Sequence, residues 1–172
     1  DNHVYGLTKG QASPRSDIGF VTKTTPRGAF ETPLSICETA IAAGATFVAQ
    51  GYMINRAELV DLIQQAMDHE GFSFINVFSP CVTYNKHNSY DWFKDHLVAL
   101  PEGYDPTDRA AALKTLGETD GLVTGLIYQD KTKPSFEKAM AAANGGPHAR
   151  PLTEDVVKPD QALFDSLCNQ FK

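Results

Sequence analysis

The sequence predicts an α/β fold: a parallel sheet flanked by helices, followed by a C-terminal extension. Three observations carry this. Helical and strand patterns alternate through short links over residues 33–78. Leu59, Leu62, Ile63, Ala66 and Met67 recur at helical spacing and define one apolar face. FSFINVF (72–78) is dense in aromatic and β-branched residues, the composition of a buried strand.

Taken in order, DNHVY (1–5) reads as the end of a strand feeding a loop. The loop runs to about residue 32, punctuated by Gly6, Gly10, Pro14, Gly19, Pro26 and Gly28. A loop of that length is usually functional or disordered. PLSICETAIAA (33–43) reads as a helix, with Pro33 suited to its first turn and Gly44 to its end. ATFVAQG (45–51) is a short buried strand. The next helix is capped by Asn55, with Glu58 three residues later as in a capping box, and Gly71 stops it before the strand 72–78. Beyond Pro80 the rhythm changes. Residues 90–98 and 106–118 read as helices, 121–129 as a strand, 130–159 as a polar surface segment containing Gly145-Gly146-Pro147, and 159–171 as a final helix. The division expected is 1–85 for the α/β core and 86–172 for the extension.

Composition narrows the function. The 172 residues suit one domain, or one domain with a tail, and 42% apolar with 21% charged residues is ordinary for a globular core. A net charge of −6 argues against a duplex nucleic-acid binder, so no nucleic-acid partner is expected. The longest nearly apolar run, AIAAGATFVA (40–49), falls far short of the ~20 residues that span a bilayer, so no membrane partner is expected either. No secretory signal pattern is visible at the N-terminus. Cys37, Cys81 and Cys168 form an odd, widely spaced set without a C-x-x-C pair, which fits a reducing, cytoplasmic setting.

The stretch DNHVYGLTKGQ carries the chemistry. An amide just beyond a strand can present a hard oxygen, as can nearby backbone carbonyls, and hard oxygens suit Mg²⁺ shared with substrate phosphates. Gly6 permits a sharp turn in which successive amides converge on an anion. Thr8 adds a hydroxyl and Lys9 a charge. Such a loop could hold a metal–diphosphate pair at the carboxyl end of a strand. Spacing alone equally describes a plain turn, since no complete phosphate-loop motif is present.

DNHVYGLTKGQASP resembles the diphosphate loop in the β subunit of 2-oxoacid:ferredoxin oxidoreductases. FSFINVFSPCVTYNKHNSYDWFKDHLV (72–98) and GYDPTDRAAALKTLGETDGLVTGLIYQ (103–129) resemble the same family, so the likeness covers roughly residues 1–130. It implies that residues 1–85 are the C-terminal part of a thiamine-diphosphate-binding domain. The activity implied is oxidative decarboxylation of a 2-oxoacid to an acyl-CoA and CO₂. The cofactors implied are thiamine diphosphate, Mg²⁺ and a 4Fe–4S cluster. The partners implied are an α (or fused γ–α) subunit, ferredoxin, coenzyme A and a small 2-oxoacid. By the same resemblance Asn2 is a Mg²⁺ ligand through its side chain and Val4 through its carbonyl. Gly6, Leu7 and Thr8 lie against the diphosphate, and Leu7 and Lys9 face the substrate. Lys9 either pairs with the substrate carboxylate or is a solvated surface lysine. The family's upstream Gly-Asp-Gly segment is missing from these residues, which makes a fragment or a processed chain the expectation, inactive alone. The glutamate that activates the thiamine ring comes from elsewhere in such complexes.

Cys81 follows Pro80 just past a core strand. A lone cysteine there is commonly an inert buried thiol, and a cubane cluster needs four thiolates. The resemblance makes Cys81 the fourth cluster ligand, its three partners lying outside this sequence. Cys37 is expected in the core and Cys168 to be incidental. The histidines show no metal spacing, so surface or capping roles are expected for most, and His3 falls in a variable slot of the motif. Tyr90, Trp92 and Phe93 are expected to pack in the core, with an interface to the partner chain as the other reading. Two other functions fit the same residues: a non-catalytic α/β interaction module, and a thiamine-diphosphate decarboxylase or lyase without iron.

Overall fold

The computed structural model describes residues 1–143 and 160–170. Residues 1–135 form one compact unit and residues 136–172 fall in a second. The first unit contains α1 (Ile36–Ala42), β1 (Phe47–Tyr52), α2 (Arg56–Asp68), β2 (Ser73–Phe78), α3 (Tyr90–His96), β3 (Val98–Ala99), α4 (Arg109–Glu118) and β4 (Val123–Gln129). The second contains α5 (Phe136–Ala143) and α6 (Gln161–Asn169). Of the polar segment expected at 130–159, residues 136–143 form α5, and the stretch with Gly145-Gly146-Pro147 lies outside the described residues.

The strands pair in the order β2-β1-β4-β3. β1 and β2 run parallel, as the helix–strand alternation requires, and β3 is parallel to β4. β4 runs antiparallel to β1, with an irregularity at Val48/Ala49, so the sheet is mixed. Residues 86–135 thus share a core with residues 1–85 rather than standing apart from it. Strand sense is set by where the chain re-enters the sheet, which periodicity does not record.

β1 is buried on both faces because its side chains alternate into two layers. Val48 packs with Cys37 and Ile41 of α1, Ala112 and Leu116 of α4, and Val123 and Ile127 of β4. Phe47 and Ala49 point the other way, onto Leu62 of α2. The predicted apolar face of α2 is only partly used: Leu62 is buried, whereas Ile63 is 40% and Met67 80% exposed. The capping box also differs. Asn55 makes no side-chain cap bond; its Nδ2 donates to Glu58 Oε2 at 2.8 Å instead. α4 is capped conventionally, with Asp108 Oδ1 accepting from the amides of Ala110 and Ala111 at 2.8 and 3.0 Å.

A buried polar pair, Gln50 and Asn76, sits side by side within β1 and β2. Gln50 Nε2 donates to the carbonyls of Gly121 and Val123 at 2.9 and 2.8 Å, and its Oε1 accepts from Asn76 Nδ2 at 2.7 Å. This layer leads to Asp1, whose amine donates to Val77 O at 2.6 Å and whose carbonyl accepts from Ser79 N at 2.8 Å. Asp1 therefore lies beside β2 in a parallel sense, but residues 1–5 form no strand, contrary to the strand end expected there, and residues 2–11 lie at the carboxyl end of the sheet. Among the described residues, no helix is long and apolar enough to cross a membrane.

Candidate functional site at the carboxyl end of the sheet

Residues 2–11 fold into a closed loop. Asn2 Oδ1 accepts from Val4 N at 3.2 Å, a tight turn that fixes the amide against its own backbone. Tyr5 N donates to Gln11 O at 3.0 Å, Gly10 N to Tyr5 O at 2.9 Å and Lys9 N to Gly6 O at 3.1 Å. Lys9 and Gly10 take left-handed conformations (φ 75° and 99°) to make the turn. Thr8 Oγ1 donates to Gln11 Oε1 at 2.5 Å. The amides of Gly6, Leu7 and Thr8 donate to no protein acceptor among the described residues. Three successive uncommitted amides on a turn are the chemistry of an anion cradle.

The loop and the segment after β2 meet. A β-carbon on Gly6 would lie 3.4 Å from Cys81 Sγ and 3.7 Å from Asn2 Nδ2, so position 6 is the gap between the predicted metal ligand and the predicted cluster ligand. On the far side of the loop, a β-carbon at Gly10 would come within 2.9 Å of the Tyr84 ring. Asn2 and Cys81 are half-buried and Val4 is buried, while Leu7, Thr8 and Lys9 are exposed. Lys9 borders a surface hollow with Val21, Thr22, Lys23 and Tyr84. Leu7 is almost wholly exposed in this chain.

The cysteines divide as their surroundings dictate. Cys37 is in the core, and burial pushes its thiol up to about 12 despite nearby Arg15. Cys168 is exposed on α6, in the second unit. Cys81 stands alone as a candidate ligand. Among the described residues no three His, Cys, Asp or Glu side chains converge on a metal site, so a cluster at Cys81 would need thiolates from outside them.

His3 departs from the surface or capping role expected of most histidines. It is 3% exposed, with a left-handed φ of 57°. Its carbonyl accepts from buried Ser16 Oγ at 2.5 Å. Its ring meets Phe93 edge-on at 5.4 Å, with Phe78 and Trp92 further out. His3 Nδ1 lies 3.4 Å from Asp17 Oδ1, too long and poorly aligned for a full hydrogen bond, so this buried ring nitrogen has Asp17 as its nearest polar neighbour. The His3 ring is the main cause of an Asp17 carboxyl held below the ordinary carboxylate value; burial opposes it, and Asn88 and His87 add to it. Of the expected aromatic cluster, Phe93 is fully buried and Tyr90 is 38% exposed.

Arg15, also unassigned from the sequence, braces the loop entrance. Its Nε lies 3.0 Å from Asp1 Oδ2 and its Nη1 donates to Leu34 O at 2.6 Å. Asn85 and Asn88 complete the set of residues that sequence reasoning missed: both are buried, and Asn85 Nδ2 donates to Asn2 O at 3.0 Å. Asn85 ends the SPCVTYN stretch, which was the available signal, yet polar residues in a loop normally indicate only solvent.

Known proteins similar to this chain are consistent in kind. The family described as "Thiamine pyrophosphate enzyme, C-terminal TPP binding domain" matches residues 1–77, and the family of the C-terminal part of the pyruvate ferredoxin oxidoreductase β subunit matches residues 81–144. A 2-oxoacid:ferredoxin oxidoreductase subunit beta from Sulfolobus sp is 36% identical over 83% of this chain and 50% of its own length. The 2-oxoglutarate synthase subunit KorB of Methanocaldococcus jannaschii is 42% identical over 81% of this chain and 52% of its own. A solved 2-oxoglutarate:ferredoxin oxidoreductase from Magnetococcus marinus, with 2-oxoglutarate, coenzyme A and succinyl-CoA bound, superposes with a TM-score of 0.79 at 34% identity. That match covers 97% of this chain and 55% of the other. The chain spans about half the length of the curated relatives it matches. Its mixed four-stranded sheet flanked by helices has the fold of the C-terminal domain of thiamine-diphosphate enzymes.

Proposed function

Because this chain belongs to the β-subunit family of the 2-oxoacid:ferredoxin oxidoreductases, we propose that it forms part of an enzyme that oxidatively decarboxylates a 2-oxoacid to an acyl-CoA and CO₂, with ferredoxin as electron acceptor. The observation that carries the reading is the meeting of Asn2, Gly6 and Cys81 at the carboxyl end of the sheet. In this reading residues 1–85 are the C-terminal part of the thiamine-diphosphate domain and residues 86–172 its extension. The two family matches, residues 1–77 and 81–144, meet near that boundary in sequence, while in space residues 86–135 complete the core of residues 1–85.

The donor set fits the cofactors. Asn2 Oδ1 keeps a second lone pair after accepting from Val4 N, and with the Val4 carbonyl it offers the hard oxygens that Mg²⁺ takes. The uncommitted amides of Gly6, Leu7 and Thr8 offer donors to a diphosphate. Glycine at position 6 lets that backbone approach a ligand without a side chain intervening. Thiamine diphosphate, when bound, supplies the nucleophilic carbon and the electron sink for decarboxylation. This chain's part is to orient it through Asn2, Val4 and residues 6–8. Lys9 offers an ammonium to the substrate carboxylate, and Leu7 adds an apolar surface beside it. Cys81 contributes one thiolate to a 4Fe–4S cluster completed from outside these residues. The α (or fused γ–α) subunit supplies the rest of the site. Three unpaired cysteines support a reducing, cytoplasmic compartment.

Iron and thiamine diphosphate measured in the assembled complex test the reading. Cys81→Ser is expected to lower iron content and ferredoxin reduction while leaving thiamine diphosphate bound. Unchanged iron and activity would reject the ligand role.

A further inference from the structure

Asn85 is 1% exposed and every polar atom of its side chain is engaged. Its Nδ2 donates to Asn2 O at 3.0 Å and to Asn88 Oδ1 at 2.7 Å. Its Oδ1 accepts from the amides of His87 and Asn88 at 3.1 and 3.0 Å, and its own amide donates to Cys81 O at 3.1 Å. Asn88, fully buried, passes the connection on, its Nδ2 donating to Asp17 Oδ2 at 2.8 Å. Asp17 then faces His3, the residue covalently next to Asn2. The contacts form a ring: Asn2, Asn85, Asn88, Asp17, His3 and back to Asn2. Residues 83 positions apart in sequence are tied by a fully satisfied buried amide, and such networks rigidify what they connect. Asn2 is thus restrained twice, at its carbonyl by Asn85 and at its side-chain oxygen by Val4 N.

We infer that Asn85 is a positioning residue: through its amide it fixes the Asn2 backbone against the Cys81 turn and so aims the Asn2 side chain at Mg²⁺. This rests on the reading of Asn2 given above. The Asn85 side chain is committed to protein partners at both its nitrogen and its oxygen, which leaves it no free atom for a metal or a substrate. It acts as an outer partner that orients a ligand, and a merely structural asparagine would stabilise the turn without any bearing on metal affinity.

The test is the Mg²⁺ concentration that half-saturates thiamine diphosphate binding in the assembled complex, measured by equilibrium binding, with activity followed over the same range. Asn85→Asp keeps the acceptor for the two turn amides but turns a carboxylate toward Asn2 O. Half-saturating Mg²⁺ is expected to rise about tenfold or more, with maximal activity recovered at saturating Mg²⁺ and iron content unchanged. In an Asn2→Ala background the same substitution is expected to add nothing. An unchanged half-saturation, a loss of activity equal at every Mg²⁺ concentration, or a full effect persisting in Asn2→Ala overturns the role. If Asn2→Ala raises the requirement and Asn85→Asp does not, this inference alone fails. If Asn2→Ala leaves it unchanged, the Mg²⁺ reading of position 2 fails and takes this inference with it. Should Asn85→Asp not assemble, Asn88→Ala decides: it removes the acceptor that orients the Asn85 amide, and an unchanged half-saturation there overturns the proposal.

Discussion

Gly6 lies against Cys81, close enough that a β-carbon at position 6 would sit 3.4 Å from the sulfur. That is ordinary contact distance, so alanine fits the folded chain but closes the gap between thiol and amide. Gly6→Ala is expected to leave stability within about 1 kcal/mol in chemical denaturation. Isothermal titration of the complex is expected to show weakened thiamine diphosphate binding. Gly6→Val, with branched bulk facing Sγ and Nδ2, is expected to cost about 1–3 kcal/mol from overpacking.

Cys37 is shielded where Cys168 is open. Burial holds the Cys37 thiol neutral to about 12, and the thiolate is the nucleophile. At pH 8, iodoacetamide followed by peptide mass spectrometry should label Cys168 and spare Cys37 until the protein unfolds. The linkage has a definite sign. The unfolded thiol ionises near its ordinary value of 9.0 and the folded one does not, so this stabilisation is complete below pH 9.0 and fades as pH climbs towards about 12. Early labelling of Cys37 in the folded complex would contradict its placement in the core.

Asp17 titrates in the opposite direction. Its folded value is held below the ordinary 3.8, chiefly by His3, so its contribution is present above that pH and is lost as acid protonates it. Asp17→Asn is expected to destabilise by about 1 kcal/mol at neutral pH, since the carboxylate is half-buried and solvent screens the bond it accepts from Asn88. The gap between variant and parent should narrow below pH 3.8, as read from urea midpoints across pH. A gap that is constant with pH would mean the carboxylate charge does not matter there.

Two helix starts that look alike in sequence should respond differently. Asp108 accepts two amides at the start of α4, whereas Asn55 accepts none at the start of α2. Asp108→Ala is expected to cost about 1 kcal/mol, and Asn55→Ala less than about 0.5 kcal/mol. Equal losses in thermal or urea unfolding would show that the Asn55–Glu58 contact stabilises α2 as effectively as a cap.

Much of the fold was legible because helices and strands are written in local periodicity. The spacing of Leu59, Leu62 and Ala66 marked α2, and FSFINVF marked β2. The extent of burial was not legible: Met67 lies on the same apolar stripe as Leu62 yet is exposed, because a stripe states which residues can be buried and not what covers them. The candidate site was half legible. Asn2, Gly6 and Cys81 stood out by type and motif, whereas His3, Asp17, Asn85 and Asn88 are ordinary polar residues whose importance lies in whom they meet.

The sequence by itself determined α1, β1, α2, β2, α4 and β4 in order and kind, the glycine-punctuated loop near the start, and the solitary thiol past β2, since each depends on neighbours within a few positions; it did not mark β3, read as the end of a helix, or α5, read as part of a polar segment. Only the tertiary structure decided that β4 enters antiparallel beside β1, that His3 is buried, and that Asn2 and Cys81 flank one glycine. Those relations join residues tens of positions apart: closing the long loops between them costs entropy, which burial in a shared core and the Asn85–Asn88 hydrogen bonds offset, and no local pattern of residues encodes that balance.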